Sequence, residues 1–315
     1  MYTLLFIGTG IRACDTKHTI EQANRDTVKA YFTKEAYKEV VAYTDTFLKA
    51  TPNDPELWLY RGRALFHLGK ENEALRMFNK AIEVDSTFYK AYEDRAILYN
   101  YIGISDTLQA FEDIDVAIKH FPNDLNLYKV KASLLYKTRR FEEAIEQYDK
   151  ILAKNPNDYK VITYKARMHR ELYENDRALE MCNTAIGIKP QDLFAYEERA
   201  FVYIAMEEYS KAIDDFNNVF RCLEENYDPK REAYTYDNRG FAYHKLGDDE
   251  MALEDINHSI LLRPTNSYAY RSRALVYIHQ GKTTQACTDL KEALRLGFTK
   301  KYGEEVEQLV AQHCQ

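Results

Sequence analysis

Proline returns at a fixed spacing along much of this chain, and that spacing constrains the fold more than any other feature. Pro122, Pro156 and Pro190 are 34 residues apart. The stretch around Pro156, FEEAIEQYDKILAKNPND, has a recognisable counterpart around Pro52, YKEVVAYTDTFLKATPND. A fixed period of this size indicates a chain built from stacked structural repeats rather than from one globular core.

Within each period the same classes of residue occupy the same places. The second unit has Trp58, Gly62, Leu65, Ala74 and Phe78, and most other units keep this order of aromatic, small, large, small and large residues. The order and the period resemble the tetratricopeptide repeat family. The resemblance covers the chain from about residue 21 to residue 298. It implies paired helices that form a right-handed superhelix with an inner groove, and a role in binding proteins or peptides.

The residue types also make physical sense as helical hairpins. Ala74, Phe78 and Ala81 fall on one stripe of a helix, and small residues such as Gly62 are expected where two helices approach most closely. One hairpin cannot bury its stripe alone, so neighbours must stack. We therefore predict an all-α solenoid of about eight hairpins with a C-terminal capping helix. Glycine tolerates a positive φ and is expected at the hairpin turns, at Gly69, Gly103, Gly247 and Gly281.

These registers predict the organisation of the chain. The segments are a leader over 1–20, a degenerate first repeat over 21–54 in which only the second helix is clear, repeats over 55–88, 89–124, 125–158, 159–192, 193–232, 233–266 and 267–298, and a capping helix over 299–315. The third repeat has about two extra residues in its turn around 104–107. A polar spacer over 222–230 predicts a kink, a lengthened helix or a loop. The cap is expected as one helix over 299–313, with Val306 on its apolar face.

The N-terminus differs from the repeats. A short apolar run over 2–11 precedes Arg12, Ala13 and Cys14, and a polar stretch follows. This order resembles a bacterial lipoprotein signal, in which the cysteine is lipidated and becomes the new N-terminus. The resemblance implies lipidation of Cys14 and a membrane-associated protein of the bacterial cell envelope, which we favour over a cytoplasmic one. The alternative is an unlipidated leader, either disordered or strand-like.

The net charge and the hydropathy of the sequence argue against nucleic-acid binding and against a transmembrane helix. The 315 residues carry a formal net charge of -7, which opposes a general nucleic-acid binder because phosphate contacts need a surplus of Lys and Arg. No stretch reaches the roughly 20 apolar residues that a transmembrane helix needs. We expect neither nucleic acid nor a transmembrane span.

The cysteines carry no obvious chemistry. The five are Cys14, Cys182, Cys222, Cys287 and Cys314, and none forms the close pair typical of zinc or redox sites. Cys182 takes a core position, where a small buried residue is expected. Cys287 lies on the last hairpin and Cys314 ends the cap, an arrangement that resembles extracytoplasmic tetratricopeptide proteins with a cysteine-stapled cap. A disulfide and a pair of free thiols both remain open.

Catalytic motifs are missing from the sequence. The eight histidines form no metal-binding pair on a helix face, and there is no glycine-rich phosphate loop or nucleophile elbow. The many carboxylates follow the i, i+4 patterns of solvated helices. We therefore predict no catalytic, cofactor or metal site and no enzyme activity.

The binding positions follow from the family resemblance, which implies that the first helix of each hairpin lines the groove. In the fourth and fifth repeats the non-core positions of that helix are basic and aromatic: Lys129, Tyr136, Lys137, Lys160, Tyr164, Arg167 and Arg170. Such a patch suits an acidic peptide segment, and Phe201 and Phe241 would supply apolar anchors. The other interpretation is that the aromatic residues pack between hairpins and that the lysines are solvated.

The expected function is a non-enzymatic scaffold that binds a peptide or protein segment in its groove. The alternative is a structural or self-assembling scaffold that acts through its convex surface or its terminal repeats. Some members of the family grip heat-shock chaperones with a Lys and an Asn one helical turn apart on the first hairpin. No such pair is found in register here.

Overall fold

The computed structural model describes residues 22–102, 107–225 and 228–314, and no strand occurs within these ranges. The helices are α1 (22–33), α2 (Tyr37–Ala50), α3 (Pro55–His67), α4 (Glu71–Val84), α5 (Tyr89–Ile102), α6 (Thr107–His120), α7 (Leu125–Lys137), α8 (Phe141–Leu152), α9 (Tyr159–Glu171), α10 (Asn175–Ile188), α11 (Leu193–Ala205), α12 (Tyr209–Glu225), α13 (Pro229–Leu246), α14 (Asp249–Leu262), α15 (Ser267–His279), α16 (Thr283–Arg295), α17 (Phe298–Tyr302) and α18 (Glu305–His313).

The helices belong to two compact units, which we call unit 1 (residues 1–150) and unit 2 (residues 151–315). Consecutive helices pack as hairpins in both: α3 with α4 and α5 with α6 in unit 1, and α9 with α10, α11 with α12, α13 with α14 and α15 with α16 in unit 2. The odd-numbered member of each pair is the first helix and the even-numbered member is the second.

A capping side chain fixes the start of six first helices, namely α3, α7, α9, α11, α13 and α15. Asp54 accepts hydrogen bonds from the backbone N–H groups of Glu56 and Leu57, and Pro55 takes the first helical position. The same role falls to Asp124, Asp158, Asp192, Asp228 and Asn266. A cap of this kind contributes about 1 kcal/mol, so the acidic and amide residues after the repeat prolines set the boundaries between hairpins.

Small residues allow the two helices of a hairpin to approach closely, as the sequence predicts. A methyl group on Gly240 would lie 2.7 Å from the side chain of Ile256 and 3.0 Å from the carbonyl oxygen of Ala252. One on Gly62 would lie 2.5 Å from the ring of Phe78. Both contacts are shorter than van der Waals separation, so a side chain at either glycine would force the helices apart.

The hairpin turn needs a left-handed residue even where the sequence supplies no glycine. Gly69, Gly247 and Gly281 have φ of 71°, 91° and 69°, as expected for the turns. The equivalent positions in other hairpins are Glu35, Arg139, Tyr173 and Glu207, with φ between 56° and 60°. The turn geometry is therefore imposed by the packed helices, and it holds without the residue that adopts it most easily. Gly103 and residues 104–106 lie outside the described residues.

The structure clarifies one end of the array and corrects the prediction for the other. The first repeat has both helices, because α1 buries Val28 completely against Val40 of α2. The cap is two helices instead of one, since the backbone at Gly303 adopts φ 95° and ψ -171°, which separates α17 from α18. Val306 is nevertheless fully buried, so α18 does cover the last hairpin as predicted.

The polar spacer over 222–230 is largely helical. α12 runs on to Glu225 and α13 already begins at Pro229, so these are the longest helices of the described residues, at 17 and 18 residues. Residues 226–227 lie outside the described ranges. Of the three forms that the sequence allows, the structure has lengthened helices.

An arginine repeated along the chain ties neighbouring hairpins together. Arg239 donates two hydrogen bonds to Asp255 of its own hairpin, at 2.7 and 2.8 Å, and one to Asn217 of the preceding hairpin, at 2.6 Å. Its guanidinium also lies 5.5 Å from the ring centre of Tyr236. The same contacts are made by Arg95 in unit 1 and by Arg199 and Arg273 in unit 2. At these four arginines the bidentate pair with Asp fixes the guanidinium within its own hairpin, and the bond to Asn connects it to the preceding hairpin.

Candidate functional site

The seven basic and aromatic positions predicted for the groove are divided between the two units. Lys129, Tyr136 and Lys137 lie on α7 of unit 1. Lys137 donates to the backbone carbonyl of Asn100, and the ring of Tyr136 lies 5.9 Å from that of Phe141. These side chains thus contact their own unit, and their role in ligand binding stays a prediction.

The other four positions lie on α9 of unit 2. Tyr164 is exposed and Lys160 reaches over the ring of Tyr159. Arg167 and Arg170 both bind Glu198 of α11, with Nε–Oε distances of 2.8 and 2.6 Å. Glu198 is completely buried, so the two guanidinium groups offset the cost of placing its charge there. A ligand carboxylate would have to compete with Glu198 for these arginines.

The pattern of paired charges and aromatic rings continues from α11 to α13. Arg231 lies over the ring of Phe194 at 4.2 Å and donates to Glu197 at 2.6 Å. Burial raises the pKa of Glu197, although Arg231 and Arg167 act in the opposite direction. The guanidinium of Arg170 lies 5.6 Å from the ring centre of Phe201. We call the surface that carries these contacts, on α9, α11, α13 and α15, the first-helix face of unit 2.

A pocket opens on this face between α11 and α13. Its volume is about 460 Å³. The lining residues are Glu197, Phe201, Asp228, Lys230, Arg231, Tyr234 and Asn238. Phe201 and Tyr234 provide apolar surface, whereas the exposed Lys230 and the amide of Asn238 provide polar groups. The size and the mixed lining suit one or two side chains of a peptide.

Phe241, the second predicted anchor, lies further along the same face. The guanidinium of Arg271 on α15 is 5.5 Å from its ring centre, and Lys245 also approaches it. Arg271 in turn bonds Glu305 of α18. Phe241 therefore sits under charged side chains and is only partly accessible.

One carboxyl group on this face has no comparable partner. Asp237 of α13 is 2% exposed, and its Oδ1 is buried without a hydrogen bond, as is the hydroxyl of Ser272 beside it. Burial raises the pKa of Asp237 to about 7, and the nearby Ser272 and Arg271 offset this only in part. Asp237 thus changes charge near neutral pH.

Sequence reasoning missed a group of imidazoles at the end of the same hairpins. Nδ1 of His244 lies 2.7 Å from Oδ1 of Asp249, and Nδ1 of His279 lies 2.7 Å from Oδ2. Burial alone would raise the pKa of Asp249, but the two imidazoles outweigh it and leave that pKa below its ordinary value. No spacing motif could reveal the group, because its members come from three different helices.

The structure joins Cys287 and Cys314 in a disulfide, with their Cα atoms 5.6 Å apart. The bridge connects α16 to the residue that follows α18, so it pins the cap onto the last hairpin. Cys182 is fully buried, and that burial raises the pKa of its thiol. Cys14, the predicted lipidation site, lies outside the described residues. Among the residues that are described, no helix has the length and apolar character needed to cross a membrane.

Comparison with known proteins identifies the repeat. Family models of the tetratricopeptide repeat match residues 55–88, 129–192 and 233–266. Among curated proteins, this chain is 27% identical over 106 residues to the Hsp70-Hsp90 organizing protein 3 of Arabidopsis thaliana. That match covers 34% of this chain and 19% of the relative, so the similarity reaches only about a fifth of the relative's length.

Solved structures share the fold at low sequence identity. A tetratricopeptide repeat protein from Parabacteroides merdae superposes with a TM-score of 0.69 at 16% identity, covering 83% of this chain and 99% of that one. A chain of the APC/C hetero-tetramer Cut9-Hcn1 gives a TM-score of 0.64 at 19% identity, covering 89% and 54%. These likenesses and the hairpins described above confirm the predicted fold class, an all-α solenoid of tetratricopeptide type.

Proposed function

We propose, on the premise that this chain is a tandem array of tetratricopeptide repeats, that it is a non-enzymatic scaffold whose first-helix face in unit 2 binds a peptide or protein segment. Proteins of this kind typically mediate protein–protein interactions and are generally not catalysts. The relatives by name include organizing proteins and a DnaJ homologue, which is consistent with such a role.

The pocket between α11 and α13 is the observation that carries this proposal. Its lining is already ordered: Arg231 is held by Glu197 and Phe194, and the ring of Phe201 lies beside Arg170, which is held by Glu198. A ligand therefore does not have to immobilise these long side chains, which lowers the entropy cost of binding. Pre-ordered aromatic and arginine side chains around a pocket are typical of the central residues of protein interfaces.

The lining favours a ligand with an apolar side chain next to an acidic group. Phe201 and Tyr234 would contact the apolar side chain. Lys230 is exposed at the pocket, and Lys160 is exposed at the start of α9, so both can approach an acidic residue without breaking a buried ion pair. Arg167 and Arg170 are committed to Glu198, and we propose that they orient the face and steer an acidic ligand toward it.

The test begins with peptides selected against the full chain from a random display library. Selected sequences should be enriched in an aromatic or aliphatic residue beside Asp or Glu. Fluorescence anisotropy with the best peptide should then give an affinity that falls at least tenfold in Lys160→Glu/Lys230→Glu, since two attractive charges become repulsive.

A matched charge reversal serves as the control. Lys291→Glu places the same change on the exposed side of the second helix α16, away from the proposed face, and should leave the affinity within twofold of wild type. Equal affinity of wild type and the double variant, or selection of peptides without acidic residues, would count against this face as the binding site.

The N-terminal resemblance adds a separate proposal, that Cys14 is lipidated and anchors the chain to a bacterial membrane. Mass spectrometry of the protein isolated from its native cells tests it. A mature chain that begins with diacylated Cys14 supports the anchor, whereas an unmodified Cys14 within an intact N-terminus rules it out.

A further inference from the structure

His244, Asp249 and His279 meet where three helix ends converge in unit 2. His244 lies in the last turn of α13, Asp249 is the first residue of α14, and His279 is the last residue of α15. The turn that joins α13 to α14 is closed by Gly247 in the left-handed conformation and by the side chain of Asp248, which caps α14. Two of the three side chains are therefore held on a short, well-defined turn.

From this geometry we infer that His244, Asp249 and His279 form a binding site for a divalent transition-metal cation of the Zn²⁺ class. One potential ligand atom from each residue, a ring nitrogen of each histidine and a carboxylate oxygen, lies within 4.8 Å of the other two. Ligands of tetrahedral zinc are about 3.3 Å apart, because each lies about 2.0–2.1 Å from the metal. Small side-chain rotations, easiest at the 63% exposed His279, bring the three groups to that separation.

The carboxylate and the helix ends around the two imidazoles favour the binding of a cation. Asp249 is 14% exposed, and each of its carboxylate oxygens faces an imidazole. The C-terminal ends of α13 and α15 point their partial negative charge toward the same place. The carboxylate and the two C-terminal helix ends would balance a doubly charged ion there against the partial positive charge at the N-terminus of α14, at a position that solvent reaches through His279.

A second histidine–carboxylate pair in unit 2, His169 with Glu174, offers a comparison with only one imidazole. Nδ1 of His169 lies 2.6 Å from Oε2 of Glu174, but the other carboxylate oxygen accepts from Arg177 at 3.1 Å. The arginine supplies the positive charge there, and one imidazole alone makes a poor metal site. The contrast singles out Asp249, whose two oxygens both face nitrogen atoms that can coordinate a metal.

The donor set determines the class of ion. Two imidazoles and one carboxylate suit Zn²⁺, Co²⁺, Ni²⁺ or Cu²⁺, whereas Mg²⁺ and Ca²⁺ prefer oxygen ligands. Each neutral ring would carry its proton on Nε2 when Nδ1 coordinates the metal. Water completes the coordination, as in sites with three protein ligands. The bound ion would join the hairpin α13–α14 to α15 and stiffen that end of the first-helix face.

The experiment is isothermal titration of the full chain, without an affinity tag, with ZnCl₂, followed by Co²⁺ absorption spectroscopy. Wild type should bind one Zn²⁺ per chain, exclude Mg²⁺ and Ca²⁺, and give visible Co²⁺ bands of four-coordinate nitrogen and oxygen ligation. His279→Gln should weaken the Zn²⁺ affinity more than tenfold. Because His279 is exposed, this variant removes a ligand without disturbing the core.

His169→Gln is the matched control, since it changes the other histidine–carboxylate pair and should leave the Zn²⁺ affinity unchanged. Asp249→Asn is a second variant and should lose binding as well. The inference is overturned if wild type binds no Zn²⁺ at 100-fold excess, or if His279→Gln and wild type bind it equally. It is also overturned if His169→Gln weakens binding as much as His279→Gln does.

Discussion

Glu198 and Asp237 are both buried carboxyl groups on first helices of unit 2, but they differ in the charges that surround them. Glu198 on α11 is bound by Arg167 and Arg170 from α9. Asp237 on α13 has only the hydroxyl of Ser272 and the more distant charge of Arg271 nearby, and its pKa rises to about 7. A tetratricopeptide interface can therefore hold an acidic residue either as a paired charge or as a group that loses its charge on burial.

The difference has a consequence for pH dependence. The folded-state pKa of Asp237 lies above its unfolded value, so the fold favours the neutral acid and the carboxylate lowers its stability. Its unfavourable contribution is absent below about pH 4, grows as the pH rises, and levels off above about pH 7. The contact between α13 and α15 should loosen over this range, whereas the arginine-paired contact between α9 and α11 should not.

Removing the buried charge of Glu198 should have the largest effect on stability. Glu198→Gln removes the charge that Arg167 and Arg170 share, so both partly buried guanidinium groups lose their common buried carboxylate. The expected loss is about 3 kcal/mol of unfolding free energy at pH 7, measured by urea denaturation followed by circular dichroism. The control Glu180→Gln removes an exposed charge from α10 and should change stability by less than about 0.5 kcal/mol. A loss as small as that of the control would mean that the pair is not stabilising.

Replacing Asp237 should increase stability instead of lowering it. Asp237→Asn cannot ionise, so the variant should be more stable than wild type at pH 8, with a gain about 3 kcal/mol larger than at pH 4.5. Urea denaturation at the two pH values measures this difference. The exposed Glu254→Gln on α14 is the control and should show no such dependence. An equal effect of Asp237→Asn at both pH values would show that Asp237 is ionised throughout.

The smallest effect is expected from Ser272→Ala, which removes a hydroxyl group that lowers the pKa of Asp237. Ser272→Ala should raise the pKa of Asp237 further and cost less than about 1 kcal/mol at pH 8, with almost no effect at pH 4.5. Titration of the Asp237 carboxyl by carbon-detected NMR gives the direction directly. A midpoint that falls in the variant would contradict the role assigned to Ser272.

Much of the fold could be predicted because each repeated residue does a local task. Gly62 and Gly240 mark the close approach of two helices, and the residue two positions after a repeat proline caps the next helix. Prediction was weakest where the repeat pattern fades. Val28 packs α1 against α2, but no consensus residue of the repeat marks α1 in the sequence. The apolar stripe of the cap predicts one helix, whereas Gly303 divides it into two.

The candidate site was less predictable, because its contacts join residues on different hairpins. Arg170 and Glu198 lie 28 positions apart, and Asp249 and His279 lie 30 apart, so neither pair produces a local motif. The sequence identified Arg167 and Arg170 as surface cations for a ligand. It could not show that a buried acid on the next first helix already occupies them.

The repeated arginine makes some interfaces between neighbouring hairpins alike. Arg239 donates to Asn217 of the preceding hairpin, and Arg273 donates to Asn257 in the same way, so the hairpin α13–α14 carries a donor on its first helix and an acceptor on its second. A duplicated copy of residues 233–266, inserted after itself, would therefore keep the arginine–asparagine contact on both of its sides. An array that contains such a unit can lengthen by duplication of that unit without a new kind of contact between hairpins.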